Sequence, residues 1–343
     1  AAFAATHSPS LAPEQVVGVG NGTDAHELAL RACDVGRGDG VLLPSHTAYA
    51  TLAAVLRVDA VPVFVDLEPG RAVLSAEHLG QILEGAGGGV RARRKAPLKA
   101  LIAVHLYGES CDLATIAALC ERHGLSLIED CAQACGTLYQ GRPVGCWGRF
   151  AAFSFYPTKN LSAFGDGGAL VVNRAEDLAA ARSSRFYGWD SQRRAVRFGV
   201  NSRLDELQAW VLLGKLLDLP ERIAQRRQVA RWYAERLVGQ ATLPADGSDW
   251  LHSYHLFVIQ LPYEQRDRVL EQSLALGIPL GVHYALACHQ HPYVMERFGA
   301  SGDLPETERR VKEVLSLPLH PYLEEAQIAS ICERLGTLLP VPA

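Results

Sequence analysis

The sequence predicts an α/β protein: a large domain built on a mostly parallel sheet covered on both faces, then a smaller α+β domain. Three observations carry this. From residue 16 to about 175, short apolar β-branched runs alternate with helical stretches. Those runs are apolar throughout, so neither face is left for water, which is the pattern of a sheet with helices on both sides. The chain has 343 residues, 48% of them hydrophobic, enough for a large core and two domains.

The elements follow in order. Strand candidates fall at 16–19, 41–43, 61–65, 100–106, 126–128, 151–155 and 170–172, with helical stretches at 25–33, 51–58 and 113–123 among them. In such sheets the ligand crevice lies at the carboxyl ends of the strands. Residues 85–99 (GAGGGVRARRKAPLK) are Gly-rich, then basic, and read as an exposed loop; 190–198 reads as another. Residues 201–216 are helical in pattern, and Asp218–Glu221 reads as a capping box around Pro220, opening a helix that runs through Leu237. That helix separates a large domain, 1–217, from a small one, 218–343, with a strand at 254–261 and helices at 266–276 and 324–335.

Charge and composition exclude several classes. Charged residues make up 20% and the formal net charge is -4, so there is no basic footprint for a nucleic-acid backbone. No apolar run reaches the roughly 18 residues that span a bilayer. The start, AAFAATHSPS, lacks the basic and apolar regions of a signal peptide, so a cytoplasmic location is expected. The eight cysteines have no CxxC pairs; buried free thiols are expected and no metal site.

Four motifs stand at strand ends. Gly18-Val19-Gly20-Asn21-Gly22-Thr23-Asp24 closes a strand and opens a helix. Glycines let backbone approach an anion, and a helix N-terminus presents unpaired N–H groups. A plain turn with a capped helix is the ordinary reading of this string alone; it is not the dinucleotide fingerprint, since Thr23 stands where the third glycine would. In Ile128-Glu129-Asp130-Cys131-Ala132-Gln133 a buried strand runs into two acids; such a carboxylate can hold a pyridinium nitrogen protonated, cap a helix or bind a metal. In Phe153-Ser154-Phe155-Tyr156-Pro157-Thr158-Lys159-Asn160-Leu161 one lysine sits in a polar turn, where a lowered pKa suits amine chemistry. Gly165-Asp166-Gly167-Gly168-Ala169 is a tight turn that lets the chain double back beside that lysine.

The strings GVGNGTDA, EDCAQA, SFYPTKNL, GDGGAL and NSRLDELQA, in this order and spacing, resemble the sugar aminotransferases of the DegT/DnrJ/EryC1/StrS family. The resemblance spans about Val17 to Leu335. It implies the fold type I of pyridoxal 5'-phosphate (PLP) dependent transferases, aspartate aminotransferase-like, with a seven-stranded sheet. It further implies that Lys159 carries PLP as a Schiff base, that Asp130 partners the pyridinium nitrogen and that Gln133 contacts the phenolic oxygen. Ser154, Gly22 and Thr23 would hold the phosphate, and Asn201 would reach it from the neighbouring subunit of a homodimer. Arg203 becomes a candidate for the carboxylate of the amino donor. The string His283-Tyr284-Ala285-Leu286-Ala287-Cys288-His289 resembles the family's HYPxPxH segment with both prolines replaced, making His289 a candidate substrate contact.

The implied reaction moves an amino group from L-glutamate to a nucleotide-diphosphate keto-sugar by a ping-pong mechanism. SHTAYATLAAV and HLYGESCDL resemble members that aminate position 3 of dTDP-linked 3-keto-6-deoxysugars. Amination at position 4, a keto-sugar acid, or a non-catalytic regulatory role are the alternatives; the last expects loss of Lys159 or Asp130, and both are present. Two departures stand out. Where many members stack an aromatic ring on the cofactor this chain aligns Ala48, leaving His46, Tyr49 or an uncovered face. Members also carry a few tens of residues ahead of the Ala1–Phe3 region, so a truncation or a shorter variant is expected.

Overall fold

The computed structural model describes residues 1–85, 96–299 and 302–339. In chain order its strands are β1 (Val16–Val19), β2 (Gly40–Pro44), β3 (Val61–Val65), β4 (Leu98–Val104), β5 (Ser126–Asp130), β6 (Leu138–Tyr139), β7 (Arg142–Pro143), β8 (Phe150–Ser154), β9 (Gly168–Val172), β10 (Trp250–Leu251), β11 (Phe257–Gln260) and β12 (Val314–Leu317). All seven expected strands of the first half join one sheet in the order β1-β9-β8-β5-β4-β2-β3. The pairs β2/β3, β2/β4, β4/β5 and β5/β8 are parallel, and β9 is antiparallel to both β8 and β1. Six strands therefore run one way and β9 alone is reversed.

Alternation along the strands explains the layers, since successive side chains point to opposite faces. Val41, Leu43, Ala100 and Ile102 join one apolar cluster with Ala25, Leu28, Leu52 and Val55 of two helices. Their neighbours Leu42, Leu101 and Ala103 join another cluster with Leu79, Ile116 and Cys120. Each fully buried Leu or Val contributes about 1.5–3 kcal/mol, so a polar residue at any of these positions undoes the layer.

A third cluster is drawn wholly from the C-terminal part, from Val229 to Leu339, around the antiparallel pair β11–β12. This part also reaches back: Cys288, Val294 and Leu304 pack in the first cluster, and β10 pairs with β6. Among the described residues no helix is long and apolar enough to cross a membrane. All eight cysteines are free and buried.

The structure corrects several boundaries. The basic run expected as a loop at 85–99 falls mostly outside the described residues, and its last two residues, Leu98 and Lys99, already belong to β4. Residues 201–205 are not helical; the helix is Glu206–Leu216, with Asp205 extended at its N-cap. Asp218 makes no capping bond: it sits in a helical conformation, and the following helix, Leu219–Leu237, begins without a box. The strand expected at 254–261 shrinks to Phe257–Gln260, because Ser253 and His255 spend their N–H groups on the carbonyls of Gly108 and Tyr107, at 3.1 and 2.8 Å.

Candidate active site

Because β1, β2, β5 and β8 run the same way, their carboxyl ends share one edge of the sheet, and a cleft of about 470 Å³ opens there. Asn21, Gly22 and Thr23 line it after β1, and Thr47, Ala48 and Thr51 after β2. Asp130 and Gln133 line it at and after β5, and Ser154 and Lys159 at and after β8. The three strings that looked ambiguous one by one are thus neighbours.

The first wall is the start of the helix Gly22–Ala32. Asn21 caps it, its side-chain oxygen accepting from Asp24 N at 2.8 Å. A Cβ on Gly22 would lie 3.0 Å from Ser154 Cβ, and one on Gly168 only 2.6 Å from the carbonyl carbon of Asn21. Glycine at both positions lets the helix start, the end of β8 and the turn before β9 close together. The result is a cradle, a helix N-terminus opening on the cleft beside Thr23 and Ser154, where an anion could be held by the N–H groups of the first turn and the helix dipole.

Asp130 ends β5 in the cleft. Its Oδ2 accepts the Thr51 hydroxyl at 2.7 Å, its Oδ1 accepts Ala132 N at 3.0 Å, and His26 Nε2 stands 3.3 Å from Oδ2. Glu129, one residue earlier, is fully buried and engaged elsewhere, taking hydrogen bonds from Gly145 N, Trp147 N, Gly148 N and the His105 ring. Burial alone would raise its pKa, but those partners outweigh it and hold the carboxyl below its ordinary value. The atoms of His105, Glu129 and Cys131 lie within 4.8 Å of one another, a grouping seen in metal sites. Four donors already saturate the two Glu129 oxygens, and burial pushes the Cys131 thiol far up, so the trio is wired as a structural support. Of the two adjacent acids, only Asp130 is offered to a ligand.

Gln133 is held by both ends of its amide: Oε1 accepts Tyr107 N at 2.8 Å and Nε2 donates to the Tyr284 hydroxyl at 3.0 Å. Lys159 is anchored through its backbone, its N–H donating to the Tyr156 carbonyl at 2.8 Å, while Asn160 Nδ2 donates to the Ser253 carbonyl at 3.1 Å. Burial lowers the Lys159 pKa, and the Asp130 charge opposes that in part. An amine that is neutral more often than a surface lysine, placed in one cleft with a buried carboxylate, can act as a nucleophile and as a base.

Other expected site residues fall elsewhere. His46 is fully buried, its Nε2 on the Tyr107 hydroxyl at 2.7 Å, and Tyr49 packs against the His291 ring; neither lines the cleft, while Ala48 does. Asn201 and Arg203 are exposed and outside the cleft lining of this chain. Between them, Ser202 receives Gly20 N at 2.9 Å and donates to Asp24 Oδ2 at 2.6 Å, fastening that segment beside the cradle. His289 is buried outside the lining, with Nδ1 and Ser45 Oγ 2.7 Å apart and Nε2 3.5 Å from Glu308. Sequence reasoning missed Thr51, His26, Tyr107 and Tyr284. His26 alone had a signal: it lies four residues after Gly22, hence on the same helix face.

The cradle suits a phosphate, the lysine a carbonyl and the buried carboxylate a ring nitrogen, which together fit PLP. Fold and site define a PLP-dependent aminotransferase, with PLP as its cofactor. The family profile described as the DegT/DnrJ/EryC1/StrS aminotransferase family matches residues 2–336. The chain belongs to this family and is a sugar aminotransferase. It is 41% identical over 317 residues to the UDP-N-acetyl-3-dehydro-α-D-glucosamine 3-aminotransferase of Acidithiobacillus ferrooxidans, covering 92% of this chain and 82% of that protein. It is 39% identical over 316 residues to the dTDP-3-amino-3,4,6-trideoxy-α-D-glucose transaminase of Micromonospora megalomicea, covering 90% and 80%. Among solved structures, Streptomyces venezuelae DesV in complex with a ketimine intermediate superposes with a TM-score of 0.87 at 36% identity, covering 97% of this chain and 87% of DesV.

Proposed function

We propose that this chain transfers an amino group from L-glutamate to carbon 3 of a nucleotide-diphosphate-linked 3-keto sugar, a dTDP-3-keto-6-deoxyhexose in the favoured case. The observation that carries the chemistry is the shared cleft of Lys159, Asp130 and the Gly22–Thr23 cradle. Bound PLP supplies a carbonyl for amine exchange and an electron-accepting ring. Gly22, Thr23 and Ser154 would hold its phosphate, and Asp130 would accept a hydrogen bond from its protonated ring nitrogen. Gln133, fixed from both ends, would offer its remaining N–H to the phenolic oxygen. Lys159, its amine more often neutral because burial in the cleft lowers its pKa, would be the group that holds the cofactor's carbonyl and that moves the proton between the Cα of the donor and C4′. The position of amination is supported by the two relatives above, whose names both place the amine on carbon 3.

In this reading residues 1–217 form the cofactor-binding domain and 218–343 the smaller one, and a second copy completes the cleft. Two features support the homodimer. Asn201 and Arg203 are exposed, and Phe164, Leu207, Trp210, Leu213 and Leu217 are large apolar side chains left exposed as well. The test is an absorbance spectrum of the purified protein with PLP, before and after L-glutamate, followed by dTDP- and UDP-linked 3-keto and 4-keto sugars as acceptors. Loss of the visible band with glutamate and amination of a dTDP 3-keto sugar are expected. Turnover confined to a UDP sugar would overturn the nucleotide assignment, and amination only at carbon 4 would overturn the position.

A further inference from the structure

We infer that His26 is a positioning residue for the cofactor, a single imidazole that ties the phosphate cradle to the ring-nitrogen acid through a hydrogen on each of its two nitrogens. The inference rests on the reading of Asp130 as the partner of the ring nitrogen. His26 is buried in the first turns of the helix Gly22–Ala32 and lines the cleft. Its Nδ1 lies 2.8 Å from the carbonyl oxygen of Gly22. A carbonyl can only accept, so Nδ1 carries a hydrogen.

The other nitrogen then decides the matter. Nε2 stands 3.3 Å from Asp130 Oδ2 with both side chains nearly shut off from solvent. Among the described residues lining the cleft, Nε2 is the one buried side-chain polar atom without an aligned hydrogen bond. If Nε2 were bare, its lone pair would face a carboxylate lone pair in a dry site, two acceptors with no donor between them. A hydrogen on Nε2 turns that opposition into a charge-assisted contact.

The consequence for the cofactor is geometric. A carboxylate has about four acceptor positions. Ala132 N and the Thr51 hydroxyl fill two of those on Asp130, and a hydrogen on His26 Nε2 would face a third across 3.3 Å, leaving one for the ring nitrogen. His26 thereby fixes the rotation of the Asp130 carboxylate, so that its remaining acceptor position would be presented to the ring nitrogen. Because the same imidazole grips Gly22 O, the two ends of the cofactor site are kept in register by one side chain.

The direct test is nitrogen NMR of the PLP-loaded wild-type dimer labelled in its histidine rings, with the His26 signals assigned from their loss in His26→Gln. Both ring nitrogens should show the protonated signature; a bare Nε2 overturns the inference without any variant having to fold. A second arm compares His26→Leu with His26→Gln, which keeps an amide donor within reach of Asp130. His26→Leu should weaken PLP binding and slow the glutamate half-reaction by about tenfold or more each, the range for losing one charge-assisted contact, with partial rescue in His26→Gln. It should also shift the visible band of the bound cofactor. Asp130→Asn runs in parallel: if it collapses the half-reaction while His26→Leu changes nothing, only the His26 inference fails. If Asp130→Asn is harmless, the underlying assignment of Asp130 fails.

Discussion

The Thr51 hydroxyl donates to Asp130 Oδ2 across 2.7 Å, joining the helix that follows β2 to the last residue of β5. Thr51 is itself 3.2 Å from the Thr47 hydroxyl, so a short chain of hydroxyls braces the acid. The carboxylate is oriented before any ligand arrives.

Removing its charge while keeping its shape isolates that role. Asp130→Asn should still bind PLP, yet slow the glutamate half-reaction by roughly a hundredfold or more, the usual cost of losing one preorganised electrostatic partner. Single-turnover absorbance changes measure this. A rate near that of the unaltered protein would remove Asp130 from the chemistry.

Lys159 is one of five lysines in the chain, which makes covalent mapping decisive. Borohydride reduction of the PLP-loaded protein followed by peptide mass analysis should place the label on Lys159 and leave the other four unmodified. Lys159→Ala should lose the visible band and at least about a thousandfold in activity, as expected for a residue that is both nucleophile and base.

At Gly168 an added Cβ would meet the Asn21 carbonyl carbon at 2.6 Å and the Phe153 carbonyl oxygen at 2.8 Å. Both contacts are backbone, so neither can swing away. Gly168→Ala should cost about 1–3 kcal/mol of stability and weaken PLP binding by spreading the cradle, read by thermal melting and by cofactor titration.

The buried Glu129 gives a pH signature. Its folded pKa is depressed, so it contributes stability above its unfolded value of about 4.3 and loses that contribution as pH falls through the folded value. Glu129→Gln would set an amide N–H₂ against backbone donors and should cost at least about 3 kcal/mol at pH 7. Urea midpoints measured from pH 7 to pH 3 should then fall less steeply in the variant than in the unaltered protein.

Much of the fold was legible because the strands of the first half are apolar on both faces, a pattern only a covered sheet satisfies. Val41–Leu43 and Val61–Val65 show it plainly, and both lie within observed strands. What periodicity could not supply was competition for backbone hydrogen bonds. His255 lies in the run that reads as strand, yet it and Ser253 bond to the turn at Tyr107–Gly108. At the site, Lys159, Asp130 and Ser154 stood out because each ends or follows an apolar run. Thr51 and Tyr284 did not, since nothing local says that a threonine in one helix meets an acid from another strand. The positions of His46 and Tyr49 are of the same kind: only the fold shows that His46 turns into the core and Tyr49 outward.

The reversal of β9 has a mechanical meaning. Antiparallel pairing with β8, from Phe150 opposite Val172 to Ser154 opposite Gly168, makes the lysine-bearing segment a hairpin loop with both feet stitched into one sheet. A crossover to a parallel neighbour would have hung that lysine on a long tether. Here the conformational freedom of the loop is surrendered once, when the chain folds. In the proposed reaction the amine would then have little ground to recover each time a bond to it breaks, and would return to the same spot for the next turnover.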